Sequence, residues 1–279
     1  VQNWLVHEKT GQPGASQTYS DMAIQCALTL KMVYHLPLRA TEGFLSSLLE
    51  LMKLPISSPN YTTFCRRRQT LEVQIPRSKA CNARHVVVDS TGLKVYGEGE
   101  WKVRQHGYSK RRTWRKLHLA VDESTHGIIA VLMTSNDFGD GEVLPNLLEQ
   151  IDDLIGQLSA DGAYDTKECY EVIMKRKAKA AIPPRDNAKP WKDGSRDPPH
   201  PRNLALKEIE ANGRKQWKEK SGYHRRSLSE TAMFRYKTII GNELTARLPN
   251  SQSAETSIGC AVLNKMTALG MPESYRITP

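Results

Sequence analysis

The stretch that decides the fold is HVVVDSTG, which runs from His85 to Gly92. Val86, Val87 and Val88 form a short continuous apolar run, which is typical of a strand buried on both faces. The four residues that follow, Asp89 to Gly92, favour turns, and we expect them to end the strand. This stretch predicts a buried sheet with a carboxylate where the strand ends.

Strands and helices alternate after this run. The expected strands are residues 113–121, 127–134, 155–160 and 180–182, and the expected helices are 140–153, 166–177, 203–220, 223–241 and 252–269. This pattern indicates a mixed α/β layer fold. Residues 183–203 hold six prolines and many charges, so we place an insertion at about 183–220 in a catalytic domain that spans 84–279.

The N-terminal part is helical. Residues 1–17 form a polar arm, and helices are expected at 18–35, 38–53 and 61–71, within a DNA-binding region of residues 18–76. The last of these helices carries Arg66, Arg67 and Arg68, which we expect to be exposed. Two amphipathic helices and a short basic one are typical of a helix-turn-helix unit, although any small helical bundle gives the same pattern.

The composition points to a polyanionic partner. Forty Lys and Arg against thirty Asp and Glu give a formal net charge of +10, and hydrophobic residues make up 39% of 279 residues. Nucleic acid is therefore the first partner to consider. The longest apolar stretch, 23–36, is interrupted by polar residues, so we expect a soluble protein. Five widely spaced cysteines predict reduced cytosolic thiols and no zinc site, which leaves oxygen ligands for any metal.

Two aspartates follow predicted strands. Asp89 comes after the valine run, and Asp161 comes after the strand at 155–160. Each alone is an ordinary turn former or helix cap. Taken together they are candidate ligands, because open α/β sheets bind at the carboxyl ends of their strands.

A third carboxylate lies on the helix predicted from residue 223. At 100° per residue, Tyr223, Arg226, Glu230 and Lys237 fall within a stripe about 60° wide, on which Phe234 intrudes. A solvated charged face would give the same stripe. The helix by itself therefore leaves both interpretations open.

Five separated motifs together suggest a family. They are DSTG at 89–92, GEGEW at 97–101 leading to RKLHL at 115–119, DGAYD at 161–165, IPPR at 182–185, and Y-x2-R-x3-E-x6-K from Tyr223 to Lys237. In this order they resemble a bacterial insertion-sequence transposase of the IS-five-like group, over residues 19–272. The resemblance implies an RNase H-like core with an insertion before the Glu-bearing helix. It also implies a catalytic triad of Asp89, Asp161 and Glu230.

The resemblance implies metal-dependent cleavage and strand transfer on DNA. Asp89, Asp161 and Glu230 would hold two Mg²⁺ ions, with Mn²⁺ as a substitute, and Asp89 would bridge them. Water would nick the inverted-repeat end of the element, and the freed 3′-hydroxyl would attack target DNA. We expect a homodimer on DNA, in the cytoplasm and associated with the nucleoid.

Basic residues are the expected DNA contacts. Seven Lys or Arg and no acidic residue lie between residues 102 and 116, which favours phosphate binding over a merely solvated hairpin edge. The predicted DNA-binding residues are Tyr223, Arg226, Lys237, Arg111, Arg112, Arg115, Lys116, Arg66, Arg67 and Arg68.

Two alternatives remain open at the level of sequence. One is a nuclease or resolvase built on the same core. The other is a truncated or catalytically inactive derivative that only occupies the DNA ends. The presence of all three carboxylates argues against loss of catalysis.

Overall fold

The computed structural model of the protein describes residues 3–6, 17–80, 82–95, 114–192 and 199–270. Arg111 and Arg112 lie outside these ranges. The chain folds into two compact units. The helical unit contains the described parts of Val1–Pro76, Val95–Glu98 and Tyr236–Pro279, and the sheet unit contains those of Arg77–Lys94 and Gly99–Arg235. Within the expected catalytic range of 84–279, the residues from Tyr236 onward thus group with the N-terminal helices.

The helical unit is built from both ends of the chain. Its elements are α1 (Asp21–Val33), α2 (Leu38–Leu51), α3 (Tyr61–Arg67), a π-helical turn (Tyr236–Ile240), the two-residue strand β6 (Glu243–Leu244) and the C-terminal helix α8 (Pro249–Leu269). Ser20 caps α1 by accepting a hydrogen bond from the Ala23 N–H, and Pro37 ends the loop before α2. The helix α1 packs against α2, α3 and α8, so these helices form one small bundle.

The sheet unit contains the remaining elements. They are β1 (Arg84–Val95), β2 (Trp114–Asp122), β3 (Ile128–Ser135), α4 (Asp140–Glu149), β4 (Ile155–Ser159), α5 (Lys167–Lys175), β5 (Lys179–Ala181), α6 (Pro201–Lys220) and α7 (Ser227–Arg235). Short 3-10 turns follow β4 (Gly162–Tyr164) and precede α7 (Tyr223–Arg226). The described residues of the insertion before α6 form neither helix nor strand.

The strand order is β3-β2-β1-β4-β5. The first three strands are antiparallel, whereas β4 pairs in parallel with β1 and β5 with β4. This mixed sheet flanked by helices confirms the predicted mixed α/β fold class. A buried cluster from β1, β2, β3 and β4 packs with α4 and α5 and forms the core on one face of the sheet.

Strand β1 does not end at Asp89, as the turn-forming residues predict. It pairs with β2 without interruption from Val86 opposite Asp122 to Lys94 opposite Trp114. Gly92 leaves room for the Trp114 ring, because a Cβ at that position would lie 3.2 Å from Cε3 of Trp114. Cross-strand pairing therefore overrides the local turn preference, and Asp89 lies inside a strand.

The predicted single α-helix after residue 223 is also wrong in detail. The chain passes through the 3-10 turn, α7 and the π-helical turn, which is closed by the Gly241 N–H donating to the Tyr236 carbonyl at 3.1 Å. Since these helices have different numbers of residues per turn, a uniform 100° step does not hold across them. Lys237 lies in the π-helical turn, beyond α7, and is exposed.

Candidate active site

The register between two parallel strands brings Asp89 and Asp161 together. Val87 of β1 lies opposite Ser159 of β4, and each aspartate comes two residues later. Asp161 lies just beyond the end of β4, and its carboxylate is close enough to raise the pKa of Asp89. Asp161 also caps the 3-10 turn, since its Oδ1 accepts a hydrogen bond from the Ala163 N–H at 2.9 Å.

One guanidinium links Asp89 to Glu230. Arg226 Nη1 donates to Asp89 Oδ2 at 2.8 Å, and Nη2 forms an ion pair with Glu230 Oε1. Arg226 is the last residue of the 3-10 turn and Glu230 lies in the first turn of α7, so the two are four residues apart on one side of the helix. The expected shared face of Arg226 and Glu230 is therefore present, and it meets Asp89.

The environment of Asp89 opposes its charge. Burial raises the pKa of Asp89, and the carboxylates of Asp161 and Glu230 raise it further. The Ser90 N–H, which donates to Oδ1 at 2.8 Å, and the Arg226 guanidinium act in the opposite direction. Burial and the two neighbouring carboxylates thus disfavour the charged form of Asp89 unless a cation lies beside it.

Ser229 is a site residue that the sequence did not reveal. Its side chain is fully buried beside Asp89, with Oγ 3.4 Å from Oδ2, and it donates to the Arg226 carbonyl at 2.8 Å. The sequence holds one signal for it, since Ser229 directly precedes Glu230. Its hydroxyl fixes the turn that carries Arg226.

The aromatic ring of Tyr223 lies beside the Arg226 guanidinium. The Tyr223 ring centroid lies 5.9 Å from Cζ of Arg226 and 5.3 Å from Nζ of Lys218. Burial is the largest cause that raises the pKa of Tyr223, so the phenol stays protonated at neutral pH. Tyr223 and Arg226 therefore meet at the carboxylate cluster, whereas Lys237 lies in the other compact unit.

Comparison with known proteins identifies the family. A family model described as a transposase DDE domain matches residues 81–265, and a second with the same description matches residues 1–98. The chain belongs to the DDE transposases. It is a DDE-type DNA transposase, and membership of this family implies dependence on a divalent metal ion.

Solved transposase structures also match this transposase. The piggyBac synaptic complex with hairpin DNA has 12% sequence identity and a TM-score of 0.42, and the match covers 94% of this chain and 69% of that one. The Drosophila P element strand transfer complex has 13% sequence identity and a TM-score of 0.30, and the match covers 94% of this chain and 63% of that one. The Mos1 strand transfer complex has 9% sequence identity and a TM-score of 0.24, and the match covers 92% of this chain and 79% of that one.

The carboxylate cluster fits a divalent metal by its donor chemistry. Asp89, Asp161 and Glu230 offer only oxygen donors, which Mg²⁺ and Mn²⁺ prefer. In the arrangement described, no three His, Cys, Asp or Glu side chains of the described residues are grouped as metal ligands. Two of the three carboxylates are instead held by Arg226.

Three other aspartates near the motifs of the transposase have structural partners. The pairs are Asp122 with Arg84, Asp165 with Arg202, and Asp140 with Lys116. The Asp165 carboxylate is almost completely buried, with Oδ1 2.6 Å from Arg202 Nε. These carboxylates are committed to ion pairs within the sheet unit.

The basic residues of α3 differ in their exposure. Arg66 is exposed as predicted. Arg67 is not, because it forms an ion pair with Asp21 and donates to the Tyr19 carbonyl at 2.7 Å, which leaves its side chain 12% exposed. Arg68 is half-buried, and its Nε has no hydrogen-bond partner among the described residues. The prediction that all three are exposed is therefore wrong for Arg67 and Arg68.

The described part of the basic segment lies in β2. Lys116 Nζ donates to the Phe138 carbonyl at 2.9 Å and to Asp140 Oδ1 at 3.2 Å, and Arg115 is half-buried.

The four cysteines among the described residues are free thiols. In the part of the chain that the structure describes, no helix is both long and apolar enough to cross a bilayer.

Proposed function

We propose that this transposase belongs to the IS-five-like group and acts on the inverted-repeat ends of its own element. Asp89, Asp161 and Glu230 are its catalytic carboxylates. The observation that carries this assignment is that one guanidinium, from Arg226, binds Asp89 and Glu230 while the β1–β4 register sets Asp161 beside Asp89. The Y-R-E part of the signature therefore acts as one cluster.

The carboxylates are the proposed ligands of Mg²⁺, for which Mn²⁺ is a substitute. A bound pair of ions would activate the attacking oxygen and stabilise the leaving oxygen. Asp89 is held rigidly by β1, and its Oδ1 is fixed by the Ser90 N–H. Glu230, at 56% exposure, has the freedom to turn toward a bound substrate. This combination of one fixed and one movable carboxylate suits a site that holds first water and then a DNA 3′-hydroxyl.

DNA contacts are assigned to the basic residues near the cluster and on the helical unit. Tyr223 and Arg226 are proposed to bind phosphates that flank the scissile bond, and Lys237, on the helical unit, is also proposed to bind DNA phosphate. Residues 18–76 are proposed to recognise the DNA end, with Arg66 as the exposed cation of α3. The assigned DNA residues also include Arg67, Arg68, Arg111, Arg112, Arg115 and Lys116. Because two ends must be paired, the active form is a homodimer on DNA, working in the cytoplasm at the nucleoid.

Cleavage of a linear duplex carrying the terminal inverted repeat tests the assignment. The repeat is taken from the nucleotides that flank the gene. With Mg²⁺, the wild type should nick at the repeat boundary, and chelator should abolish nicking. Asp89→Asn, Asp161→Asn and Glu230→Gln should each lower the cleavage rate by about 100-fold or more, since loss of even a supporting partner costs a metal site 10–100-fold.

Asp152→Asn is the matched control, because Asp152 is an exposed carboxylate on the same unit. It should cleave at the wild-type rate. Gel-shift binding of the repeat should survive in all four variants. Rapid cleavage by Asp89→Asn would contradict the triad, and binding without cleavage by the wild type would favour an inactive derivative.

A further inference from the structure

Arg226 forms ion pairs with two of the carboxylates that are proposed to bind metal. Its Nη1 lies 2.8 Å from Asp89 Oδ2, and its Nη2 is paired with Glu230. A guanidinium presents donors in a planar fork, so it can satisfy two carboxylates at once. The neighbouring Arg225 has a different partner, Glu123, and takes no part in this contact.

We propose that Arg226 is a surrogate cation that holds Asp89 and Glu230 together in the DNA-free enzyme, and that DNA phosphate releases them to metal by drawing Arg226 away. This inference rests on the proposed function. It makes metal binding and DNA binding mutually reinforcing, because each ligand removes an interaction that excludes the other.

Phosphate is a suitable competitor for the guanidinium. Arginine binds phosphate with the same two-pronged geometry that it uses with carboxylate. The Arg226 side chain is 21% exposed and the Glu230 side chain 56% exposed, so the pair lies within reach of a ligand from solvent. Asp89 is buried more deeply, at 15% exposure, and an uncompensated charge there is costly. The guanidinium therefore moves to the DNA phosphate as a metal ion takes its place beside Asp89.

Titration with Mn²⁺, followed by the electron paramagnetic resonance signal of the free ion, tests the proposal without any reaction. For the wild type, a duplex should raise Mn²⁺ affinity. Without DNA, Arg226→Lys should bind Mn²⁺ about 5-fold more tightly than the wild type or better, which is the lower end of typical allosteric coupling factors. The increase in Mn²⁺ affinity on adding the duplex should be smaller for this variant than for the wild type. The reason is that an ammonium keeps the charge but cannot bridge both carboxylates. Arg226→Gln should give at least as large a rise.

Arg225→Gln is the matched control, since it removes an equal charge from the adjacent residue and should leave Mn²⁺ affinity unchanged. A rise for Arg226→Gln without one for Arg226→Lys would overturn the proposal, because charge alone would then explain it. An equal rise for Arg225→Gln would overturn it for the same reason. Asp89→Asn tests the proposed catalytic triad separately from the role of Arg226. Undiminished Mn²⁺ binding by that variant would overturn the triad itself, and this proposal with it.

Discussion

Val87 lies opposite Ser159 in the parallel pairing of β1 with β4. Since Asp89 and Asp161 each follow by two residues, this register brings the two aspartates close together, and the Asp161 carboxylate raises the pKa of Asp89. A slip of one residue would turn the side chain of Asp89 to the opposite face of the sheet.

The pH dependence of stability should contain a contribution from His118. Burial is the largest cause that lowers its pKa, from 6.5 to about 4, and the side chain is fully buried. Between pH 6.5 and pH 4, His118 is protonated in the unfolded chain but neutral in the folded protein. The contribution of neutral His118 to the free energy of unfolding is therefore fully present above pH 6.5 and is lost as the pH drops toward 4. The loss should reach about 3 kcal/mol, at about 1.4 kcal/mol per pKa unit.

Urea unfolding of the wild type and His118→Gln, at several pH values from 7 to 4, measures this contribution. The variant should lose less stability than the wild type across the interval. His126→Asn is the control, because His126 is exposed and its φ of 57° lies in the region that Asn tolerates. Parallel curves for the wild type and His118→Gln would contradict the assignment.

The site was predictable where it depends on local pattern. The valine run predicts β1, and the position of Asp161 just after β4 follows from the spacing of strands and turns. The continuation of β1 past Asp89 was not predictable, because turn preference at 89–92 is overridden by pairing with β2 and by the space that Gly92 leaves for Trp114.

The contact of Arg226 with Asp89 was not predictable for a different reason. Helix geometry places Arg226 and Glu230 on one face, since they are four residues apart. What that face meets depends on the packing of α7 against β2 and on a 3-10 turn that begins after Gly222, whose φ is 70°. Residues separated by 137 positions meet only through this tertiary arrangement.

Loss of Arg202 should destabilise the sheet unit strongly. The Arg202 and Asp165 side chains are 5% and 1% exposed, and Arg202 also lies 4.2 Å over the Trp191 ring. Arg202→Met leaves a buried, unpaired carboxylate and should lower the free energy of unfolding by about 3–5 kcal/mol. Adding Asp165→Asn should recover a large part of this loss. Urea unfolding of the single and double variants measures both effects.

A solvent-exposed pair provides the comparison. Lys220 pairs with Glu208 at 3.3 Å with its side chain 57% exposed, so Lys220→Met should change stability by about 1 kcal/mol or less. A similarly small effect for Arg202→Met would show that Asp165 is not charged and buried as described.

Two glycines of the helical unit should respond to alanine in opposite directions. A Cβ at Gly259 would lie 2.8 Å from Cε2 of Tyr236, whose ring is buried, so Gly259→Ala should cost about 1–3 kcal/mol. A Cβ at Gly43, inside α2, would meet nothing within 4 Å, so Gly43→Ala should stabilise the protein by about 0.5–1 kcal/mol. Thermal unfolding compares them, and an unchanged or raised melting temperature for Gly259→Ala would contradict the packing around Tyr236.

Lys237 should bind DNA without contributing to the chemical step. The side chain is exposed in the π-helical turn, and an ammonium cannot ligate a metal ion. If it neutralises one phosphate, Lys237→Ala should make the dependence of log K on log salt less steep by about 0.9 and weaken binding to every sequence alike. Glu230→Gln removes a negative charge, so it should slow single-turnover cleavage and leave binding intact. Affinity across a salt series, measured beside cleavage for both variants, separates these roles. An unchanged salt slope for Lys237→Ala, together with normal cleavage, would mean that this lysine belongs to a solvated surface.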